Sequence, residues 1–396
     1  MARRRAKRPL NKAAVKKANE AVRNKTTPPG RGLDPSSPAD AELRKMWMDA
    51  YEAELDNKES AKGSSELSTP VVSCPLPKED KCAEGREEKI KERKKRYKER
   101  KELIAKTKGN EKLNAAAERL DFNNDNIIRA EAAEHVYPID EYNRGHRKFE
   151  DIPCPPAGLE LIDPKDIPGL ENAVFTDKDS GFGAALYRSE ITGETMLVYR
   201  GTNNGVTTVA DWKTNIGQGL GKETTQYTQA MELAQKVKQT SGGETIIVGH
   251  SLGGGLASAG SAATGNQAYT FNSAGLNKKT AKRFSNSTLS NEETGSLIKT
   301  TAVDGEILTG AQKNGNSWLT AALTRIGLGV GGLFGAGLGF LLGQALPDIP
   351  EAVGEMHHIP SVKGGNPVTR HLMPQVIDGI EFQKKEDIKT LKAGVQ

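Results

Sequence analysis

The chain has few cysteines, and no apolar run follows its N-terminus. Cys74, Cys82 and Cys154 are its only cysteines. Three cysteines cannot all pair, and their spacing matches no common zinc site, so no disulfide framework is expected. The opening residues "MARRRAKRPLNKAAVKK" carry positive charge without a hydrophobic stretch behind them. This excludes an ordinary secretory signal peptide, so we expect a cytoplasmic chain or one exported by a route that needs no such signal.

Positive charge is concentrated in the N-terminal part of the chain. Residues 1–110 contain 29 Lys and Arg against 18 Asp and Glu, whereas the remainder contains 27 against 33. A basic block of this kind is typical of a solvated, disordered tail, and adhesion to nucleic acid or anionic lipid is the alternative.

Composition divides the chain into three regions. Residues 1–40 are a basic tail ending in a linker rich in Pro, Gly and Ser. Residues 41–149 form a helical arm, whose charged stretch 84–108 is a helix by propensity. Residues 150–396 carry the motifs. Within the arm, residues 121–132, "DFNNDNIIRAEA", resemble a calcium loop but lack its glycine and final glutamate, so a polar turn between two helices is favoured.

From about residue 150 the pattern alternates between strands and helices. The runs "AALYRS" and "TMLVYRG" predict a hairpin, and "TTQYTQAMELAQKVKQT" predicts a helix. The runs "TIIV", "QAYTFNSAG" and "LIKTTAVDG" predict further strands, with a helix between the last two. Such alternation predicts an α/β fold with a mostly parallel sheet that is covered on both faces.

The most informative motif is "GHSLG" at residues 249–253, which is Gly-x-Ser-x-Gly between a predicted strand and a predicted helix. In that setting the serine takes a strained backbone conformation on a tight turn, and only glycine fits on either side of it. Ser251 is therefore the candidate nucleophile. The backbone N–H of Leu252 would then be one donor to the oxyanion.

A nucleophilic serine needs a histidine base and a carboxylate that orients it, in the chain order Ser, acid, His. Asp304 follows a predicted strand and is the preferred acid, with Glu306 as its rival. His371, just before a predicted helix, is the preferred base, and His357 and His358 are the alternatives.

Three segments together carry a family resemblance. "YRGT", the following "DWKTN" and "GHSLGGGLA" resemble the class 3 lipases of the α/β-hydrolase fold. The resemblance implies a serine esterase that acts on lipid, with a Ser251, Asp304 and His371 triad and no metal or cofactor. It also implies that Thr202 supplies the second oxyanion donor and that Trp212 and Asn215 are structural.

A narrower resemblance involves the ending "RHLMPQVIDGIEFQKK", the "VDGEIL" segment and the basic arm. These are similar to lipase effectors of type VI secretion systems. The resemblance implies a phospholipase A-type antibacterial protein that is made in the bacterial cytoplasm and delivered to the envelope of a target cell. Its expected partners are phospholipid and the membrane surface, a cognate immunity protein and a component of the secretion apparatus, with no specific nucleic acid.

An uncharged, glycine-rich stretch, residues 326–346, separates the predicted acid from the predicted base. It is long enough to span a bilayer, but an anchor would place Asp304 and His371 on opposite sides of the membrane. We therefore expect an apolar cap insertion at residues 317–347, either a lid or a segment that dips into lipid. The competing hypotheses are a membrane-disrupting toxin, in which this stretch is the active part and the hydrolase fold a carrier, and a non-catalytic binder that uses the basic arm.

Overall fold

The computed structural model describes residues 82–202, 223–241, 245–276, 291–315, 317–322, 324–325 and 350–395. Several predictions concern residues outside these ranges, namely the tail 1–40, residues 41–81 of the arm, Trp212, Asn215 and the whole glycine-rich stretch 326–346.

Helices and strands alternate along the described residues as the sequence predicts. The helices are α1 (Arg86–Lys106), α2 (Glu111–Asn143), α3 (Glu223–Thr240), α4 (Leu252–Thr264), α5 (Asn291–Ser296), α6 (307–315), α7 (Pro367–Arg370) and α8 (Met373–Val395). The strands are β1 (Leu159–Ile162), β2 (Ala184–Ser189), β3 (Thr195–Tyr199), β4 (Thr245–His250), β5 (Ala268–Phe271), β6 (Ile298–Val303) and β7 (Glu355–Ile359).

The strands of the described residues form one seven-stranded sheet, in which spatial order follows chain order from β1 to β7. The β1–β2 and β2–β3 pairs are antiparallel, and every pair from β3 to β7 is parallel. The predicted α/β class, the mostly parallel sheet and the β2–β3 hairpin are therefore confirmed. The sequence analysis did not predict β1 or β7, which are short and lie at the two edges of the sheet.

Both faces of the sheet are buried. Alternate residues of a strand point to opposite faces, and here Leu197 and Tyr199 belong to one apolar cluster, whereas Met196 and Val198 belong to another. The first cluster includes side chains of α3 and α4, and the second includes side chains of α2 and α8. Strand β3 is therefore buried on both of its faces, as expected for a strand between two helical layers.

Helix α2 corrects one expectation about the arm. Residues 121–132 lie inside this continuous 33-residue helix, so they form neither a turn nor a calcium loop. Asn123, Asn124 and Asn126 are buried rather than turned toward solvent. The predicted division of the chain at residue 150 cuts across a covering layer of the sheet, because α2 lies before it in the chain and shares an apolar cluster with the strands.

The structure also contains a disulfide bond that the sequence did not predict. Cys82 and Cys154 are joined across 72 residues of chain. Near this bond, Arg86 and Arg93 of α1 donate hydrogen bonds to backbone carbonyls of residues 155–159. Helix α1 is therefore fastened to the segment that leads into β1.

No helix within the described ranges combines the length and apolar character needed to cross a bilayer.

Candidate active site

Ser251 lies at the turn between β4 and α4, with φ 58° and ψ −126°. A positive φ is rare for a residue with a side chain and persists only where the surroundings impose it. The Ser251 N–H donates to the Phe271 carbonyl at 3.0 Å, and the Ser251 carbonyl accepts from the Ala274 N–H at 2.9 Å. The strained conformation expected from the motif is present, and β5 and the residues after it hold it in place.

The two glycines of the motif are required by close backbone approach. A Cβ on Gly249 would lie 2.0 Å from the Gly253 carbonyl oxygen, and a Cβ on Gly253 would lie 2.3 Å from the Tyr199 carbonyl oxygen. Both neighbours are backbone atoms that cannot move without shifting β3 or α4. Glycine therefore allows the helix to start directly over the ends of two strands.

His371 lies between Ser251 and a carboxylate. Its Nε2 is 2.9 Å from Ser251 Oγ, and its Nδ1 is 2.7 Å from Glu306 Oε2. An ionised carboxylate can only accept, so Nδ1 carries the proton, and Nε2 accepts from the serine hydroxyl. All three side chains are buried, which keeps water from competing for these hydrogen bonds.

Glu306 is held as an anion by donors around it. Burial alone would raise the pKa of its carboxyl group, but hydrogen bonds from His371 and from the Thr309 backbone lower that pKa below its usual value. The carboxylate also accepts from the Leu308 N–H at 2.9 Å. Glu306 thus caps the N-terminus of α6, where the helix dipole favours a negative charge.

Asp304, the preferred acid, does not reach His371. Its side chain is 64% exposed, and its Oδ1 lies 3.2 Å from Nδ1 of His358. The reason is the turn after β6, because Gly305, with φ 73°, reverses the chain and leaves Asp304 in solvent while Glu306 comes over the sheet. In the structure Glu306 therefore occupies the position that we expected Asp304 to take.

The two alternative histidines, His357 and His358, lie on β7 and contact other side chains than Ser251. His358 pairs with Asp304 and lies 3.1 Å from Lys313 Nζ. His357 stacks on Phe122 with ring centroids 4.1 Å apart. The geometry thus brings His371, rather than either of them, to Ser251. The sequence signal that could have identified Glu306 is a glutamate placed directly before the apolar start of a helix.

Both predicted oxyanion donors lie close to the nucleophile in the structure. Leu252 is the first residue of α4, directly after Ser251. Thr202 follows Gly201, and a Cβ on Gly201 would lie 3.1 Å from Ser251 Cβ, so the end of β3 passes beside the nucleophile. Both residues are near Ser251, and their role as donors stays a prediction.

Arg200 fixes the peptide that carries the Thr202 N–H. Its guanidinium donates to the Gly201 carbonyl at 2.5 Å and to the Gly181 carbonyl at 2.6 Å, and its Nε lies 2.7 Å from Asp140 Oδ2. In a trans peptide the C=O and the following N–H point in opposite directions. Anchoring the Gly201 carbonyl therefore orients the Thr202 N–H away from the arginine.

Within the described part of the chain, no group of three or more His, Cys, Asp or Glu side chains is arranged to hold a metal ion. The expectation of chemistry without a metal stays a prediction.

The chain is similar to known phospholipases. Extracellular phospholipase A1 of Serratia liquefaciens is 39% identical over 115 residues, which cover 29% of this chain and 34% of that relative. The chain thus matches about a third of the length of this relative. Residues 128–364, more than half of the chain, match the phospholipase-like family described as the Tle-like phospholipase domain. The chain therefore belongs to the family of Tle-like phospholipase domains.

Proposed function

We propose that the protein hydrolyses carboxylic ester bonds of membrane phospholipids by a serine mechanism. The observation that carries this proposal is the buried contact chain from Ser251 Oγ through His371 to Glu306. A serine hydroxyl is a weak nucleophile unless an adjacent base takes its proton, and a carboxylate that orients the base completes the arrangement. Membership of a phospholipase family supports lipid as the substrate.

The reaction proceeds in two halves. Ser251 Oγ attacks the ester carbonyl carbon while its proton passes to His371 Nε2. The tetrahedral oxyanion collapses, the C–O bond to the leaving alcohol breaks, and His371 returns the proton to that alcohol. Water then attacks the acyl-serine in the same way and releases the fatty acid. Glu306 orients His371 and stabilises its cationic form.

The oxyanion is stabilised by the backbone N–H groups of Leu252 and Thr202. Leu252 lies at the N-terminus of α4, where free N–H groups and the helix dipole favour negative charge. The hydrogen bond from Arg200 to the Gly201 carbonyl supports the role of Thr202 by holding that peptide in one orientation.

The fold supports an assignment to the α/β-hydrolases, and within them a likeness to class 3 lipases. The serine follows β4 on a sharp turn with positive φ, the acid follows β6, and the histidine comes last along the chain. This is the chain order expected for the fold.

Phospholipase A-type cleavage is the specific reaction that we propose, and the matched relative from Serratia liquefaciens is named as a phospholipase A1. We also propose that the protein is delivered to the envelope of a target bacterium and that an immunity protein protects the producing cell. The Cys82–Cys154 disulfide supports this destination, because disulfides persist in oxidising compartments such as the periplasm.

Mass spectrometry of the products tests the reaction. The purified protein and its Ser251→Ala variant are incubated with mixed phospholipid vesicles. Wild-type protein should release fatty acid and lysophospholipid, and the variant should release neither above background. Phosphatidic acid or free head group as the main product would contradict ester hydrolysis.

A dye-release assay on the same vesicles separates this proposal from the membrane-disrupting hypothesis. Enzymatic damage requires the nucleophile, so Ser251→Ala should leave the vesicles intact. Full permeabilisation by Ser251→Ala would favour a protein that disrupts membranes without hydrolysis.

A further inference from the structure

His250, the residue before the nucleophile, is fully buried and contacts two groups outside its own strand. Its Nε2 lies 2.8 Å from the backbone carbonyl oxygen of His371, and its Nδ1 lies 2.7 Å from the hydroxyl of Tyr137 on α2. The rings of His250 and His371 are 4.9 Å apart between centroids. His250 therefore links the backbone of His371 to helix α2, which covers one face of the sheet.

The chemistry of the partners determines the direction of each hydrogen bond. A carbonyl oxygen can only accept, so His250 Nε2 carries a proton, and this N–H donates a hydrogen bond to the His371 carbonyl. Burial, with a smaller effect of His371, lowers the pKa of His250 to about 3, so the ring is neutral and Nδ1 is an acceptor. Tyr137 must then donate its hydroxyl proton to Nδ1.

Tyr137 extends this chain of contacts to the turn after β3 that carries Thr202. Its hydroxyl oxygen lies beside the backbone of Gly201, the residue before Thr202, and that backbone offsets part of the rise in the pKa of Tyr137 that burial causes. A Cβ on Gly201 would lie 2.5 Å from that oxygen, so the contact requires glycine there. One close contact and two hydrogen bonds therefore connect the turn after β3, through Tyr137 and His250, with the backbone of His371.

A second donor holds the same carbonyl. Asn272 Nδ2 donates to the His371 oxygen at 2.9 Å, and Asn272 Oδ1 accepts from the Val303 N–H at 2.9 Å. Asn272 has φ 41°, a conformation that is uncommon for a residue with a side chain. The His371 carbonyl is thus fixed from two directions, by the residue before the nucleophile and by the residue after β5.

We propose that Tyr137 and His250 are positioning residues that hold the backbone of His371 and the Gly201 turn in one mutual arrangement. The inference rests on the proposed function. His371 must face Ser251 through one ring nitrogen and Glu306 through the other, which only a narrow range of backbone orientations allows. Small displacements of a reacting group lower the rate of the chemical step much more than they lower substrate binding.

The protein contains a second tyrosine–histidine pair that provides a matched control. Tyr187 OH lies 2.9 Å from His135 Nδ1, and His135 Nε2 lies 2.9 Å from the Pro153 carbonyl oxygen. The arrangement is the same, namely a phenol, a neutral histidine and a backbone carbonyl, but Pro153 is not part of the triad. Replacing each tyrosine by phenylalanine removes the same hydroxyl group from the two arrangements, of which only one contacts the triad.

The first test compares Tyr137→Phe with Tyr187→Phe on a soluble short-chain ester, with thermal melting measured for both. Tyr137→Phe should lower kcat by about tenfold or more, with KM unchanged within about twofold. Tyr187→Phe should melt earlier to a similar extent and keep kcat within about twofold of wild type. Equal kcat values in the two folded variants would overturn the proposal.

A second comparison does not depend on Tyr137→Phe folding. Glutamine at position 250 has a donor and an acceptor at the end of its side chain, whereas phenylalanine has neither. His250→Gln should therefore retain most of the kcat that His250→Phe loses. Equal kcat in His250→Gln and His250→Phe would overturn the proposal as well.

Ser251→Ala separates this inference from the proposed function. If Ser251→Ala still hydrolyses the ester, the serine mechanism is wrong. If Ser251→Ala is inactive and neither comparison shows the expected difference in kcat, only the positioning role is wrong.

Discussion

At the scale of single residues, the Glu306 carboxylate contacts both the candidate base and the N-terminus of a helix. It accepts from His371 and also from the N–H groups of Leu308 and Thr309 at the start of α6. The helix N-terminus therefore stabilises the same negative charge that orients the histidine. An uncharged replacement would keep the shape of the side chain and lose both effects.

Substitution of the two candidate acids tests which one serves the triad. Glu306→Gln should lower kcat on a soluble ester by about 10³- to 10⁴-fold, because the amide no longer favours the required tautomer of His371. Asp304→Asn should leave kcat within about threefold of wild type, because Asp304 contacts His358 instead. Steady-state kinetics at pH 8 measures both. A large loss of kcat in Asp304→Asn with little change in Glu306→Gln would reverse the assignment.

His250 makes the stability of the protein depend on pH. Burial lowers its pKa from 6.5 to about 3 in the folded protein, whereas the unfolded chain binds the proton near pH 6.5. Between these pH values the unfolded state binds more protons than the folded state. The contribution of His250 to the free energy of unfolding is therefore fully present above pH 6.5 and is lost as the pH falls toward 3.

The pH effect can be isolated with His250→Gln, which cannot titrate. Between pH 7 and 4.5 the free energy of unfolding of wild type should fall by roughly 2–3 kcal/mol more than that of the variant. Urea unfolding at both pH values gives the difference. Parallel pH dependence of the two proteins would show that His250 is accessible to protons in the folded state.

At the scale of secondary-structure elements, the site depends on how closely α4 approaches the ends of β3 and β4. Gly249 and Gly253 allow backbone contacts that a methyl group would block. The opposite layer contributes through α2, whose Tyr137 and Asp140 contact His250 and Arg200. The nucleophile side and the oxyanion side of the site are thus supported from both faces of the sheet.

Alanine at Gly253 tests the close approach. The new Cβ would lie 2.3 Å from the Tyr199 oxygen and 2.9 Å from the Arg200 carbonyl carbon, so backbone must move. We expect a loss of about 3 kcal/mol or more in the free energy of unfolding.

A glycine in open space is the control for that loss. A Cβ on Gly295 of α5 would meet no heavy atom within 4 Å. Gly295→Ala should leave stability unchanged or raise it by up to about 1 kcal/mol. Similar urea midpoints for the two alanine variants would contradict the close approach of α4 to β3.

At the scale of the whole molecule, the Cys82–Cys154 bond ties the residues just before α1 to the segment before β1. It closes a loop of 72 residues that contains α1 and α2. A cross-link of this length restricts the unfolded chain strongly. The candidate triad lies outside that loop, at the β4–α4 turn, the β6–α6 turn and the α7–α8 junction. Removal of the disulfide should therefore lower the free energy of unfolding and leave kcat nearly unchanged.

The double variant Cys82→Ser/Cys154→Ser should lose up to about 4 kcal/mol of unfolding free energy. Its kcat on a soluble ester, measured well below the melting temperature, should stay within about twofold of wild type. Cys74→Ser, which leaves the bond intact, is the control for loss of a thiol. An unchanged melting temperature in the double variant would mean that the bond does not restrict the unfolded chain.

The sequence by itself determined the features that adjacent residues encode. The α/β class followed from strand-like and helix-like hydrophobic patterns that alternate along the chain. The strained turn at Ser251 followed from two glycines at fixed spacing. Placing His371 before a helix required only the local pattern of residues 367–376. Each of these depends on a contiguous stretch of chain, in which side-chain period and turn chemistry decide the conformation.

Only the tertiary structure decided which distant groups meet. Asp304 and Glu306 both follow β6, and the turn at Gly305 together with the start of α6 selects Glu306 for His371, 65 residues away. The contact of Tyr137 with His250 joins residues 113 apart, and the disulfide joins residues 72 apart. Such contacts depend on the register of the sheet and on which helices cover it, and these are properties of packing that no local pattern contains.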